Sequence, residues 1–363
     1  MKCMGLSLFL SSAPVNAQLL QDTTALDLVK EDIDYIYNLQ FNNAREVYSK
    51  IIQSYPEHPI VFLLRGIMTY WENYPMLHTT PSHISFEEDM RQCISLSETN
   101  DNPDYEAEYL LANLCARAML LMFYDDNDLI SKVIPLTIST YKHLRRAFDF
   151  TSVCTDLYYF TGIYNYYCVA YPKIYPVYKS LALLFPPGDM ETGLKELQTA
   201  ANNSVVLRAE SCSLLSWIFL SFENKYPESL YYSNTLHEHY PQNAFYLATY
   251  IRNLLLMKKY DEAERLILVS PEEAENKYFQ AQLIILKGIL QEKKYLDNKL
   301  AQQYYNKGIS DISLFGGYGR EYAAYAYFGL SRISEANSEK QTCKIYRKQA
   351  MKLADFKKIN FDK

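Results

Sequence analysis

A stretch with two histidines is the first place in this sequence where residue types could do metal chemistry. His237-Glu238-His239 offers two imidazoles and a carboxylate, which are ligand types that zinc accepts. In the helical metalloprotease pattern the two histidines stand four residues apart, so that both imidazoles lie on one face of the helix. Here only one residue separates them. The spacing therefore predicts surface residues of a helix, and the other histidines, scattered singly, predict no metal site.

Three other stretches resemble functional patterns without completing them. Ser139 and Lys142 have the spacing of a serine–lysine acyl enzyme, but the partner motifs of those enzymes are absent. Residues 315–320 (FGGYGR) are glycine-rich, yet no Gly-Lys-Ser/Thr follows, so they predict a loop between helices. Residues 125–128 lack the central glycine and distal glutamate of a calcium loop, and they predict a cap for the helix over residues 129–148. The sequence therefore predicts no enzyme, no cofactor and no metal.

Tyrosine is unusually abundant: the chain of 363 residues has 34, and eight of them fall between positions 158 and 178. Its apolar ring and polar tip suit both interior packing and partner-binding surfaces. Helical spacing alone predicts that most tyrosines pack in the core or between repeats. Successive positions of a helix cannot all point inward, so some of the eight should line a groove or cover an irregular segment. The residues predicted to line a partner-binding surface are Tyr158, Tyr164, Tyr167, Tyr171, Tyr175 and Tyr178.

The elements that must position these residues are most clearly seen in residues 204–260, which show a helix, a break, a helix, a proline and a further helix. In the second helix Ser229 and Ser233 lie four residues apart, on one helical face. Two antiparallel helices can approach closely only where such small side chains face the neighbour. Pro241 has no backbone N–H and disfavours the α conformation in the residue before it, so the helix should end near Tyr240.

This pattern is similar to the second half of a tetratricopeptide repeat (TPR). An aromatic residue opens the helix, small residues follow, and a proline closes it. Residues 41–51, closing at Pro56, carry the pattern again around Ala44 and Tyr48. A single helix pair cannot bury both of its faces, so one repeat implies an array. The fold predicted for residues 18–363 is all-α: a superhelical array of about seven or eight antiparallel TPR-like helix pairs (an α-solenoid).

A second resemblance lies in the aromatic region. Gly162 begins it, Phe185-Pro-Pro-Gly188-Asp189 follows, and Gly193-Leu194 comes next. This order resembles the divergent Iml2-type branch of TPR proteins, which has an apolar Pro-Pro insert before a Gly-Asp…Gly-Leu helix. The prolines at 172, 176, 186 and 187 themselves predict an irregular Pro/Tyr-rich insert near residues 171–189, with a short apolar helix over residues 177–184 inside it. The sequence also predicts a frayed polar segment over residues 22–27 and a polar, Pro-bearing insertion over residues 72–83.

The N-terminus has the features of a signal peptide over residues 1–17. Lys2 supplies the positive end, residues 4–11 are apolar, and Val15-Asn16-Ala17 resembles a cleavage site. The alternative is a cytosolic chain with an apolar leader or a misassigned start. Export would make the protein periplasmic or outer-membrane-associated in a bacterial envelope. Cys3 precedes the apolar run, so it does not predict a lipid anchor. No other apolar run approaches 18 residues, so no integral membrane span is predicted.

Charge and cysteine content limit the partners and the chemistry further. The formal net charge of −6 argues against nucleic acid, which needs a basic face. Six cysteines follow the leader, mostly in apolar helical settings and without a CxxC pair, so we predict free buried thiols. A Cys154–Cys168 disulfide is the alternative in an oxidising compartment.

These observations favour a non-enzymatic TPR scaffold or adaptor of the cell envelope. The TPR resemblance implies a protein or peptide partner bound in the concave groove. The alternative is a SusD-like soluble glycan-binding protein that uses aromatic side chains. Two observations count against it, because no lipoprotein cysteine follows the leader and the chain is short for that family. A third alternative, an enzyme on an α/α scaffold, would need paired carboxylates facing one cavity.

Overall fold

Helices form nearly all of the regular structure. The computed structural model describes residues 22–99, 102–174, 185–270, 276–354, 359 and 361–362, and no strand occurs among them. The α-helices are α1 (Thr23–Tyr37), α2 (Phe41–Ser54), α3 (Pro59–Glu72), α4 (Ser82–Glu98), α5 (Glu106–Asp126), α6 (Ile130–Ala147), α7 (Leu157–Ile174), α8 (Met190–Asn203), α9 (Arg208–Ser221), α10 (Tyr226–His239), α11 (Ala244–Leu256), α12 (Tyr260–Val269), α13 (Lys277–Leu290), α14 (Asn298–Ile312), α15 (Arg320–Ala336) and α16 (Lys340–Leu353). Short 3₁₀ or π segments lie at Pro103–Tyr105, Gln291–Tyr295 and Ser313–Gly319.

Consecutive helices pack as pairs, from α1 with α2 to α15 with α16, and each pair packs on the next. The first helix of a pair buries side chains on most of its faces, whereas the second is buried along a single stripe. Neither helix could bury its apolar surface alone, so stacking is what stabilises each pair. The predicted all-α array of antiparallel helix pairs, an α-solenoid, is thus confirmed.

Six of the turns inside the pairs share one conformation. In each, a non-glycine residue with φ between 54° and 63° lies two positions before the second helix, and these residues are Leu39, Asp128, Asn224, Lys258, Leu296 and Ser338. The next residue donates its N–H back to a carbonyl near the end of the first helix, as Lys259 does to Leu254 at 2.9 Å. This left-handed cap closes a helix and reverses the chain. The pairs α3/α4 and α7/α8 have longer connections instead.

Small polar residues hold helices α9, α10 and α11 together. The Ser229 hydroxyl donates to the Ser216 carbonyl at 2.8 Å, so α9 and α10 touch where the side chains are smallest. Asn253 of α11 donates from Nδ2 to the hydroxyl oxygens of Ser229 (3.0 Å) and Ser233 (2.9 Å). All four side chains are buried. Their polar groups therefore bond to one another, which avoids the cost of burying them unpaired.

Two asparagines join distant parts of the array. Asn243 and Asn276 cap α11 and α13, and each side-chain oxygen accepts from two backbone N–H groups of its own helix. Their amide nitrogens donate to carbonyls 206 and 202 residues earlier: Asn243 to Tyr37 (2.8 Å) and Asn276 to Tyr74 (3.2 Å). Asn243 thus satisfies the start of α11 and the end of α1, and Asn276 satisfies the start of α13 and a carbonyl just beyond α3.

A third long-range contact joins the turn between α5 and α6 to the start of α15. Arg320 forms an ion pair with Asp128. Together the three contacts join the first pair to the sixth, the second to the seventh and the third to the eighth. Because each pair meets the pair five positions on, one superhelical turn takes five pairs. Successive turns touch, and this distinguishes the molecule from an open solenoid.

The connection between α3 and α4 fills part of the inner side of the superhelix. The Tyr74 ring lies 5.3 Å from Phe245, 6.0 Å from Tyr278 and 5.6 Å from Tyr318, measured between ring centroids. The Met76 side chain is fully buried, and its carbonyl accepts from the Tyr318 hydroxyl at 3.0 Å. The segment predicted as a polar insertion therefore carries two anchors between the turns of the superhelix. Its aromatic and sulfur side chains, rather than its polar ones, decide its position.

Local boundaries differ from the sequence prediction at two helices. Residues 22–27 were predicted to fray, but α1 begins at Thr23, because the Asp22 carboxylate accepts from the N–H groups of Thr24 (2.9 Å) and Ala25 (3.2 Å). Helix α7 continues through Pro172 to Ile174, so the predicted irregular insert begins later than residue 171. The short helix predicted over residues 177–184 and the predicted signal peptide lie outside the described residues. The six cysteines within the described residues are free thiols, most of them buried.

Candidate functional site

Helix α7 carries four of the six tyrosines predicted to line a partner-binding surface. Tyr158, Tyr164, Tyr167 and Tyr171 all belong to this helix, but they do not share one face. Tyr164 is buried, Tyr158 and Tyr167 are half-buried, and Tyr171 is exposed. The other two, Tyr175 and Tyr178, lie outside the described residues. Helix α7 thus uses its tyrosines both for packing and for the surface.

Tyr164 holds the described end of the insert. Its hydroxyl donates to the Pro186 carbonyl at 2.7 Å, and its ring lies 6.2 Å from Tyr141 and 5.7 Å from Phe148. Burial raises the pKa of Tyr164, so the hydroxyl is a donor at physiological pH. Gly188 follows so closely that an added Cβ would meet the Asn165 carbonyl oxygen at 2.6 Å. The Pro-Pro-Gly segment is therefore packed against α7.

Tyr167 and Tyr171 form an aromatic cluster with Phe222 at the end of α9. The ring centroids lie 5.2 Å apart for Tyr167–Tyr171, 5.2 Å for Tyr167–Phe222 and 5.8 Å for Tyr171–Phe222. Their planes cross at 53°, 71° and 58°. Such edge and tilted contacts are favourable for the rings themselves. They do not provide the flat, coplanar surface on which a sugar ring would stack.

Helix α6 has an apolar row on its outer face. Ile130, Ile134 and Ile138 are 52%, 57% and 71% exposed, and within this helix only Ala147 is buried. Residues four apart are neighbours on one side of a helix, so the three isoleucines form a continuous row. Val133, Leu136 and Leu144, on an adjoining side of the helix, are partly buried and pack against the core. Apolar residues thus lie on more than one side of α6, and sequence periodicity alone could not tell which side would be covered.

The C-terminal end of α6 is basic. The helix contains no acidic residue, and Lys142, Arg145 and Arg146 follow the isoleucine row. The Arg145 guanidinium lies 5.5 Å from the Phe148 ring centroid and 5.9 Å from that of Tyr164. Arg146 forms an ion pair with Glu106. This end of the helix therefore combines positive charge with aromatic surface.

Two pockets lie between α4 and α6, with α5 as their floor, and they have volumes of about 360 Å³ and 500 Å³. The buried side chain of Arg117 lines the larger one. This guanidinium donates to Asn113 Oδ1 (2.8 Å), Ser139 Oγ (2.8 Å) and Glu98 Oε1 (2.6 Å). The three bonds compensate for the burial of its charge. The Arg117 side chain is therefore fixed between α4, α5 and α6.

The remaining residues singled out in the sequence have structural roles or lie apart. Ser139 receives its bond from Arg117 and donates to the Leu136 carbonyl at 3.0 Å, so its hydroxyl is engaged away from Lys142. Residues 315–320 lie mainly in the 3₁₀ segment before α15. His239 binds the Thr235 carbonyl of its own helix at 2.8 Å. Within the described ranges, no group of three His, Cys, Asp or Glu side chains is placed to hold a metal ion.

Comparisons with known proteins add no family. No protein-family model matches the chain, and no curated protein matches its sequence at a significant level. The TPR and Iml2-type resemblances therefore rest on the quoted residues alone. None of the helices in the described part of the chain has the length and apolar character needed to cross a membrane.

Proposed function

We propose that this protein is a non-enzymatic, TPR-like scaffold that binds a protein or peptide segment on the outer face of helix α6. The observation that carries the proposal is the row of Ile130, Ile134 and Ile138, exposed on a helix whose other face already packs on the core. A continuous apolar row on a folded protein costs solubility, and such rows commonly mark interaction sites. A helix in a fixed array can present the row rigidly.

The proposal places the partner outside the superhelix rather than in a concave groove. Tyr74 and Met76 occupy the inner side where the turns of the superhelix meet, and the aromatic rings around them are in contact with one another. A peptide could enter there only by displacing these side chains. The outer face of α6 needs no such displacement, so it is the better candidate surface.

The cell envelope remains the proposed location, on the basis of the signal-peptide features of residues 1–17. Glycan binding is the weaker alternative, because the Tyr167–Tyr171–Phe222 cluster has crossed ring planes. A protein segment can fill the spaces between crossed rings, whereas a sugar prefers a flat aromatic face. The exposed Tyr171 ring would then be an additional contact for the protein partner.

A pull-down from envelope extract with the chain from Gln18 onward tests the proposal. The variant Ile134→Asp places a charge in the middle of the row and should lose the partner. The control Ile345→Asp changes the same residue type at nearly the same exposure, 59%, on the last helix, and should keep it. Circular dichroism would show that both variants remain helical. A partner that survives Ile134→Asp, or that both variants lose equally, would contradict a binding site on α6.

A further inference from the structure

The charges around α6 are distributed unevenly along its outer face. Beyond the row, Lys142 is exposed and has no ion-pair partner among the residues whose side chains are described. Arg145 contacts aromatic rings and, among the described residues, forms no ion pair with a carboxylate. At the other end, Asp125 in the last turn of α5 and Asp128 in the turn before α6 are exposed, and Asp128 pairs with Arg320. Lys132, the one cation at this end of α6, pairs with Glu87 at 3.0 Å. The charge left uncompensated by these pairs therefore runs from acidic, through apolar, to basic.

The length and spacing of the row fit a helix better than an extended strand. Consecutive residues of α6 rise about 1.5 Å, so the three isoleucines are spaced about 6 Å apart. A partner helix with apolar residues at i, i+4 and i+8 repeats this interval. An extended chain would place same-face residues about 7 Å apart and would lose register along the row. A helix also satisfies its own backbone hydrogen bonds, whereas an extended chain would need hydrogen-bond partners that an apolar row cannot provide.

The charge order also selects a direction for that helix. Lys142 and Arg145, which form no ion pair with a described carboxylate, lie towards the C-terminal end of α6, so a partner's acidic residues should lie over them. Acidic residues are most favourable in the first turn of a helix, where the macrodipole is positive. A partner antiparallel to α6 brings its first turn to this end. The same acidic residues would then bind the cations and stabilise the start of their own helix.

From these three observations we infer that the outer face of α6 binds an antiparallel amphipathic helix with acidic N-terminal turns followed by an apolar i, i+4, i+8 row. The inference rests on the proposed function and adds the chemistry and direction of the partner. An anionic membrane surface fits less well, because its uniform negative charge would attract Lys142 but repel Asp125 at the other end. A face with both signs of charge matches a partner that also carries its charge at one end.

Two synthetic helical peptides of about 20 residues test the inference directly. Both have leucines at i, i+4 and i+8, and they have the same composition. One carries its glutamates in the N-terminal turns and the other carries them in the C-terminal turns. Fluorescence anisotropy with the full chain should give roughly tenfold tighter binding for the first peptide. The variant Lys142→Glu should weaken the first peptide by about fivefold and leave the second nearly unchanged, whereas the control Lys352→Glu should change neither.

The outcomes separate this inference from the proposed function. If both peptides bind equally and Ile134→Asp abolishes the binding of both, the inferred charge and direction of the partner are wrong, although α6 remains a binding face. Binding of neither peptide would overturn the inference, and the pull-down would still decide the proposed function. Flotation of the protein with vesicles of anionic lipid, lost in Ile134→Asp, would replace the helix with a membrane surface. If sedimentation shows a dimer and Ile134→Asp dissociates that dimer, a second copy of the chain covers the row. This result would also overturn the inference.

Discussion

Asp32 on helix α1 should make this protein less stable as the pH rises. Its side chain is fully buried, and neither carboxylate oxygen has a hydrogen-bond partner among the described residues. Burial raises the pKa of this carboxyl from 3.8 to about 8, with a smaller contribution from the charge of Glu31. The folded protein therefore holds Asp32 protonated at neutral pH. The substitution Asp32→Asn keeps the shape of the side chain and removes the proton equilibrium.

The expected magnitude follows from the two pKa values. Above pH 3.8 the unfolded chain gains stability by ionising Asp32, while the folded chain cannot do so until about pH 8. The free energy of unfolding should thus fall by about 1.4 kcal/mol for each pH unit in this range. This loss amounts to roughly 2 kcal/mol at pH 5 and roughly 4 kcal/mol at pH 7, on an order-of-magnitude basis. Asp32→Asn avoids it, so its advantage over the wild type should grow with pH.

Urea denaturation at pH 5 and pH 7 measures this difference. The variant should gain about 3 kcal/mol more at pH 7 than at pH 5, relative to the wild type. Glu210 and Asp126, whose pKa values burial raises to about 8 and about 7, are present in both proteins and cancel in the comparison. The exposed Asp27 of the same helix provides the control Asp27→Asn, which should show no such gain. An advantage of Asp32→Asn that is the same at both pH values would refute the reasoning.

Two further substitutions test the turns and the close contacts of the array. Leu296 is exposed and has a φ of 56°, a left-handed conformation that glycine adopts without strain. Leu296→Gly should therefore raise the urea midpoint by relieving a strain of about 1 kcal/mol, and Leu296→Val should lower the midpoint. The reverse order of the two midpoints would contradict a left-handed cap. Gly193→Ala would place a Cβ 2.6 Å from the Tyr166 backbone nitrogen. Differential scanning calorimetry should therefore show a loss of about 1–3 kcal/mol in the free energy of unfolding. An unchanged unfolding transition would mean that α7 and α8 do not approach this closely.

Much of the fold follows from local patterns in the sequence. Ser229 and Ser233 are four apart, and small side chains at that spacing allow a second helix to approach, which the contact with Ser216 shows. Pro241 lies just beyond the end of α10 at His239, as its missing N–H requires. These features depend on neighbours in the chain. Local propensity and packing therefore agree, and the pairing of helices could be predicted.

The contacts between superhelical turns could not be predicted in this way. Asn243 and Asn276 each have the residue type of a helix cap, and that role uses only the side-chain oxygen. Their amide nitrogens bind carbonyls about two hundred residues away, and the partner depends on how many pairs complete a turn. That number is set by small rotations between pairs, which no local pattern records.

The candidate site shows the same limit in another form. Six tyrosines were predicted to line it, yet Tyr164 packs inward, because its hydroxyl finds the Pro186 carbonyl. The exposed isoleucine row on α6 was missed, because its spacing is the same as that of a buried stripe. The signal that could have identified it is the absence of acidic residues from α6, together with the grouping of Lys142, Arg145 and Arg146 near its C-terminal end.

Site-specific photo-crosslinking from α6 is the most direct test of the central claim that this helix presents a protein-binding face. A benzophenone amino acid at position 134 lies in the exposed row, and one at position 345 lies at nearly equal exposure on α16. Irradiation of cells producing each protein should give an adduct with a specific protein from position 134 and none from position 345. No adduct from position 134, or the same adduct from both positions, would contradict the claim.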